Sequence, residues 1–266
     1  MDLSGKISIV TGGGTGIGRA TSMKLAERGS DVAINYRVSR DEAEETAQVC
    51  RELGVQAVAL AADVGVDEDC RRLVATAGEQ LGGTVDILVN NAAATKFVPH
   101  VDLDGLSDED FVDIYRTNVI GAYQMTRAVE PGMRRTGGAI VNVASIAGVF
   151  GGGSSAAYGA SKAALINLTR TMARALAPQL RVNVVCPGFV ATRWYEDRLS
   201  PDDYSETVER VASDTPLERA SSAADIAGGI VFLCGAEAAA ITGETLIIDA
   251  GAHLNLAMSR RSVGKA

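Results

Sequence analysis

The sequence predicts a single α/β domain, a doubly wound parallel sheet with helices on both faces. Three observations carry this. Short apolar runs alternate with amphipathic stretches along nearly the whole chain. The first apolar run opens directly into a glycine-rich turn and then a helical pattern. Finally, 266 residues at 47% apolar and 22% charged can bury one large core, and no linker, repeat or low-complexity segment divides them.

In order, strands are predicted at Ile7-Val10, Val32-Tyr36, Ala57-Ala61, Ile87-Asn90, Ala139-Val143, Arg181-Cys186 and Thr245-Ile248. Helices are predicted at Gly18-Arg28, Arg40-Leu53, Glu68-Leu81, Asp108-Arg134, Tyr158-Ala177 and Ala223-Cys234. Strands apolar throughout, rather than in alternation, need cover on both faces, and helices between them supply it through right-handed crossovers. The domain is expected over residues 1–256. Within it, Phe189 to Ala220 contains no strand pattern and reads as a lid or binding loop, with a polar helix-like run at Pro201-Asp202-Asp203-Tyr204. The tail from residue 257 to 266 is polar and is expected to be mobile.

Composition removes several function classes. The formal net charge is −8, and the densest basic features are the pairs Arg71-Arg72, Arg134-Arg135 and Arg260-Arg261, so no nucleic-acid partner is expected. The four cysteines, Cys50, Cys70, Cys186 and Cys234, are scattered, and the two histidines, His100 and His253, lack partners at ligand or triad spacing. No metal site is expected, and the thiols read as small buried hydrophobes in a reducing compartment. The start shows no signal-peptide core, and the most apolar stretch, Ala223 to Ala240, carries Asp225 and Glu237. A soluble, cytoplasmic protein with no membrane partner is expected.

The turn after the first strand reads Thr11-Gly12-Gly13-Gly14-Thr15-Gly16-Ile17-Gly18. Glycines there let the backbone approach a pyrophosphate, and the following helix N-terminus offers free N–H groups and a positive dipole end. The spacing is T-G-x-x-x-G-I-G, with Gly12, Gly16 and Gly18 in the key places, not G-x-G-x-x-G. Farther on, Tyr158 and Lys162 lie four residues apart on one helix face. An ammonium beside a phenol favours phenolate, so Lys162 is expected to lower the Tyr158 pKa toward neutrality and make it an acid/base group. Ser145 follows the Ala139-Val143 strand, at the carboxyl end where open sheets bind ligands, and its hydroxyl can stabilise a developing oxyanion.

These motifs, in this order, resemble the classical short-chain dehydrogenase/reductase family from Leu3 to about Gly251. Asp63-Val64, Asn90-Asn91-Ala92-Ala93, Asn118 and Pro187-Gly188 with Thr192 complete the pattern. The resemblance implies a Rossmann-type domain that transfers hydride between a nicotinamide cofactor and a carbonyl or secondary alcohol. It further implies that Tyr158 is the acid/base, that Lys162 tunes it and holds the nicotinamide ribose, that Ser145 orients the carbonyl, and that Asn118 holds a relay water. The loop from Gly12 through Thr15, Gly16, Ile17 and Gly18 would bind cofactor phosphates. Asp63 and Val64 would flank the adenine, Asn90 would meet the adenosine ribose, and Ala92 would also bind the cofactor. Pro187, Gly188, Val190 and Thr192 would meet the carboxamide end. The sequence departs from the family at Ala93, where a glycine is usual, and the added methyl is expected to shift that loop only slightly.

Trp194 and Tyr195 fall in the lid and are expected to wall the substrate. Arg134, Arg135 and Arg174 read as solvated helix residues, with contact to a phosphopantetheine carrier protein as the alternative. The resemblance also implies a homo-oligomer, a tetramer, built by pairing the long helices Asp108-Arg134 and Tyr158-Ala177. NADP(H) is the expected cofactor, with NAD(H) possible: the second strand ends at Tyr36 where NAD enzymes carry a carboxylate, and Arg37 follows, able to take a 2′-phosphate. Within the same resemblance a 3-oxoacyl-thioester reductase, an epimerase or dehydratase, and a catalytically silent cofactor-binding protein stay open.

Overall fold

The computed structural model describes residues 2–256, so the expected mobile tail lies outside the described residues. Seven strands, β1 (Ile7–Val10), β2 (Asp31–Tyr36), β3 (Ala57–Ala61), β4 (Ile87–Asn90), β5 (Gly138–Val143), β6 (Leu180–Pro187) and β7 (Thr245–Ile248), form one sheet. Its order is β3-β2-β1-β4-β5-β6-β7, and every pairing is parallel. β1 and β4 are buried at every position, and β2, β5 and β6 at all but one or two. That burial explains their unbroken Val/Ile/Leu runs.

Helices cover both faces. On one side α1 (Gly16–Ala26), α2 (Arg40–Glu52) and α10 (Ala223–Cys234) pack over a core built on Val10, Ile34, Val89, Val141 and Val185. On the other, α3 (Asp67–Leu81), α5 (Ala122–Thr136) and α7 (Ala156–Leu176) cover Ile9, Leu88, Ile140 and Val182. Neighbouring strand residues thus serve opposite cores, as pleating requires. The chain winds outward from β1 to β3 and then returns to place β4 beside β1. This switch point leaves a crevice beyond the carboxyl ends of β1 and β4, and the site is built there.

Two expectations are corrected. The single helix expected over Asp108-Arg134 is three pieces: α4 (Asp108–Tyr115), a π-helical stretch (Arg116–Gly121) and α5. The apolar period runs through all three, so periodicity could not reveal the wider turn; such turns recur at functional sites. The lid expected as a strandless loop over 189–220 is mostly helical, with α8 (Arg193–Glu196) and α9 (Pro201–Asp214), and Val190 forms an isolated bridge with Ser221. α9 starts where Ser200 Oγ accepts from the Asp203 amide at 3.2 Å and Pro201 occupies the first turn. Two short elements complete the chain, α6 (Ala147–Phe150) and a terminal 3₁₀ turn (Ala252–Leu256). Among the described residues, no helix is long and apolar enough to cross a membrane, and no cluster of potential ligands could hold a metal ion.

Candidate active site

The glycine turn is shaped by what it leaves out. A Cβ on Gly18 would sit 2.1 Å from the Gly12 carbonyl oxygen, so no larger residue fits there. Gly16 holds φ at +51°, in the left-handed region, as the chain enters α1. No side chain caps α1, and its first amides stay available at the crevice. Asn91 braces the turn from β4, its Nδ2 donating to the carbonyls of Thr11 (2.9 Å) and Gly12 (3.1 Å). A bare backbone cradle with free amides fits a pyrophosphate.

Two cavities meet at this turn. The inner one, about 260 Å³, runs from Gly12, Gly16 and Ile17 past Ser145, Tyr158 and Lys162 to Trp194 and Tyr195. Pro187, Gly188, Val190 and Thr192 line its far wall. The outer one, about 200 Å³, lies over the end of β2 and is lined by Tyr36, Arg37, Asp63 and Val64, among others. Ala92 and Ala93 border both. A ligand with an adenosine end, a pyrophosphate middle and a flat ring at the other end fits this succession.

At the inner end β5 delivers Ser145 and α7 delivers Tyr158 and Lys162. Ser145 Oγ accepts from the Ala147 amide at 3.1 Å, and Ser145 and Tyr158 line the same cavity. Lys162 is buried, and its Nζ donates to the Val143 carbonyl at 2.8 Å, lying 5.6 Å from the centre of the Tyr158 ring. Ser155 caps α7 by accepting from the Tyr158 amide at 3.3 Å, which fixes the first turn that carries the phenol.

The electrostatics correct one expectation. Burial pushes the Tyr158 phenol above its ordinary value, aided by Tyr195 and opposed by the Ser145 hydrogen bond. Lys162 does not lower it. The ammonium is itself desolvated, down to about 8, and is committed to a main-chain carbonyl. Burial thus disfavours ionisation of the phenol.

Other sequence-predicted residues land in more varied places. Asn118 is buried in the π-helical stretch; its Nδ2 donates to the Ala94 carbonyl (3.0 Å) and Ser161 Oγ (2.9 Å), and its Oδ1 accepts from the Ala94 amide (2.7 Å). It ties the loop after β4 to α7. Asn90 does not border either cavity: its Nδ2 donates to Asn142 Oδ1 at 2.9 Å within the sheet, and Asn91 takes the place at the crevice. Gly18 lies beneath the turn as packing rather than on the cavity wall. Arg37 is exposed and 3.6 Å from Asp63 Oδ2. His253 does have a partner: its Nδ1 lies 2.9 Å from Asp249, and its ring stacks on Phe150. Asp249 is four residues earlier, a spacing visible in the sequence.

Several wall residues carried no sequence signal. Ser154 and Gly153 enter the inner cavity from the turn before α7, with Ser154 Oγ 2.6 Å from Thr95 Oγ1. Thr117, within the π-helical stretch, lines the outer cavity. Arg193 borders the inner cavity and reaches across to Glu42 of α2 at 2.8 Å.

Comparison with known proteins fits this geometry. Residues 12–253 match the family model described as enoyl-(acyl carrier protein) reductase. The chain is 36% identical over 251 residues to the 3-oxoacyl-[acyl-carrier-protein] reductase FabG of Staphylococcus epidermidis, covering 94% of this chain and 99% of that protein. It is also 36% identical over 255 residues to an uncharacterized oxidoreductase of Thermotoga maritima, covering 94% and 98% respectively. Among solved structures, a 7α-hydroxysteroid dehydrogenase in complex with NADH and 7-oxo glycochenodeoxycholic acid superposes with a TM-score of 0.86 at 31% identity, covering 94% of this chain and 95% of that one. With its crevice at the β1/β4 switch point and Ser145, Tyr158 and Lys162 at the inner end, the chain belongs to the short-chain dehydrogenase/reductase family, whose members are NAD(P)-dependent oxidoreductases acting on alcohol and carbonyl groups.

Proposed function

We propose that this protein reduces a ketone to a secondary alcohol with NADPH as the preferred reductant, NADH being accepted less well. The observation that carries the reading is that Ser145, Tyr158 and Lys162 line one cavity together with the glycine cradle. The bound nicotinamide supplies hydride to the carbonyl carbon. The chain does the rest. Ser145 and Tyr158 hold the carbonyl oxygen between two hydroxyl donors, and Tyr158 passes its proton to that oxygen as negative charge develops. Burial keeps that proton in place beforehand. Lys162, anchored on Val143, sets positive charge beneath the site, and its remaining N–H groups would hold the nicotinamide ribose. Asn118 acts behind them by fixing the loop after β4, and a relay water would sit between it and Lys162.

At the other end Thr15, Gly16 and Ile17 would take the pyrophosphate, with Asp63, Val64 and Ala92 around the adenosine. Arg37 would take the 2′-phosphate: its contact with Asp63 is long and solvent-exposed, so little opposes its release. The names of relatives favour 3-oxoacyl thioesters among ketones. Exposed Phe111, Val112, Ile120 and Tyr123 along α4, the π-helical stretch and α5 support a homotetramer built on these helices, and a cytoplasmic enzyme is the setting we infer. Following NADPH absorbance with a 3-oxoacyl thioester and a panel of simple ketones tests the reading; no oxidation with any of them would refute it.

A further inference from the structure

The lid carries a cation that the reductase reading does not use. Arg193 of α8 is paired with Glu42 (2.8 Å) and Asp197 (3.4 Å). Arg198, just past α8, is exposed and has no carboxylate partner among the described residues. Its guanidinium carbon lies 5.0 Å from the centre of the Phe97 ring and 5.3 Å from that of Trp194, and one Nη1–H donates to the Trp194 carbonyl at 2.5 Å. Two aromatic faces and a main-chain oxygen therefore fix its position while its other N–H groups remain free. Trp194 in turn lies 6.2 Å, ring to ring, from Tyr158. The guanidinium is thus no farther from the Tyr158 ring than those two contacts laid end to end. Trp194 bridges the two, and the rings beside it are aromatic too, with Phe97 against Tyr195 at 6.1 Å and Tyr195 against Phe189 at 4.6 Å.

Resting on the reductase reading, we propose that Arg198 is a specificity-determining residue that selects ketones bearing an anionic terminus, a carboxylate or phosphate, at the far end of an apolar body. The apolar body lies along Trp194 and Tyr195, the carbonyl reaches Ser145 and Tyr158, and the anion meets the guanidinium fork at the cleft mouth. The chain as a whole carries −8 and would repel anions at a distance. Selection is therefore local, and it should show as a KM difference rather than as long-range steering.

Two measurements test this. Trp194 is the chain's only tryptophan, so its fluorescence reports on this wall. With the NADPH-loaded protein, octanoate should perturb that signal at about tenfold lower concentration than 1-octanol. Arg198→Gln should remove the difference while leaving the octanol response in place, and Arg198→Lys should restore part of it. In turnover, 9-oxodecanoate should show a KM about tenfold below that of its methyl ester at similar kcat, and Arg198→Gln should equalise the two. Equal responses to octanoate and octanol in the wild type, or a variant that weakens acid and ester alike, would overturn the assignment and leave Arg198 as a clamp on the lid aromatics. A fluorescence preference for octanoate without turnover of either ketone, of a 3-oxoacyl thioester or of the simple ketones would refute the reductase reading and leave the anion site standing.

Discussion

The Lys162 ammonium donates to the Val143 carbonyl at 2.8 Å and stands 5.6 Å from the centre of the Tyr158 ring, so the lysine is held by β5 rather than by the phenol it accompanies in sequence. Removing either side chain should therefore have separable effects. Tyr158→Phe keeps the ring packed against Trp194 and deletes the proton donor. Turnover should fall by about 10²–10⁴-fold with NADPH affinity nearly unchanged, measured by steady-state kinetics and cofactor titration. Lys162→Met should damage both.

Cofactor choice is read at the end of β2. Wild type should bind NADPH about ten- to a hundredfold more tightly than NADH, and Arg37→Ala should erase most of that margin with little change for NADH. Equilibrium titration of the four combinations checks it. Equal affinities in the wild type would take Arg37 out of this role.

The glycine cradle admits a steric test. Gly18→Ala places a methyl 2.1 Å from the Gly12 carbonyl oxygen, so the turn must move or the chain must lose stability. Weakened binding of both cofactors, together with a Tm lowered by several degrees, is the expected outcome.

Burial of the thiols predicts an alkaline limit. The Cys50 and Cys186 thiols are pushed up to about 11, and those of Cys70 and Cys234 to about 12, each mainly by burial. A group whose native pKa is raised contributes stability below its unfolded pKa and loses it as pH rises toward the native value. Lys162, lowered to about 8, acts in the opposite sense between there and its unfolded value, one group against four. Tm should hold from pH 7 to 8.5 and fall above 9, and native protein at pH 8 should resist iodoacetamide.

The fold was legible because its signals are local and repeated. Unbroken apolar strands such as Val32–Tyr36 and the turn at Gly12–Gly18 each state their environment in a few residues. Ser145, Tyr158 and Lys162 were legible for the same reason, since one strand end and one helix turn suffice to place them. What the sequence hid depends on geometry between distant segments. The π-helical stretch keeps the apolar period of its neighbours. Asn90 and Asn91 are adjacent in sequence yet face opposite ways, one into the sheet toward Asn142 and the other to the crevice. The raised pKa of Tyr158 was hidden as well, because spacing fixes which residues are near one another and not how deeply they are buried.

The most direct test of the account is a single-turnover experiment in which NADPH-loaded protein is mixed with a 3-oxoacyl thioester or simple ketone and absorbance at the reduced-nicotinamide band is followed beside the same experiment with Tyr158→Phe. The account predicts one equivalent of NADPH oxidised per active site in the wild type, with alcohol formed in equal amount, and a rate lower by about 10²–10⁴-fold in the variant. Oxidation at equal rates in the two proteins would contradict it.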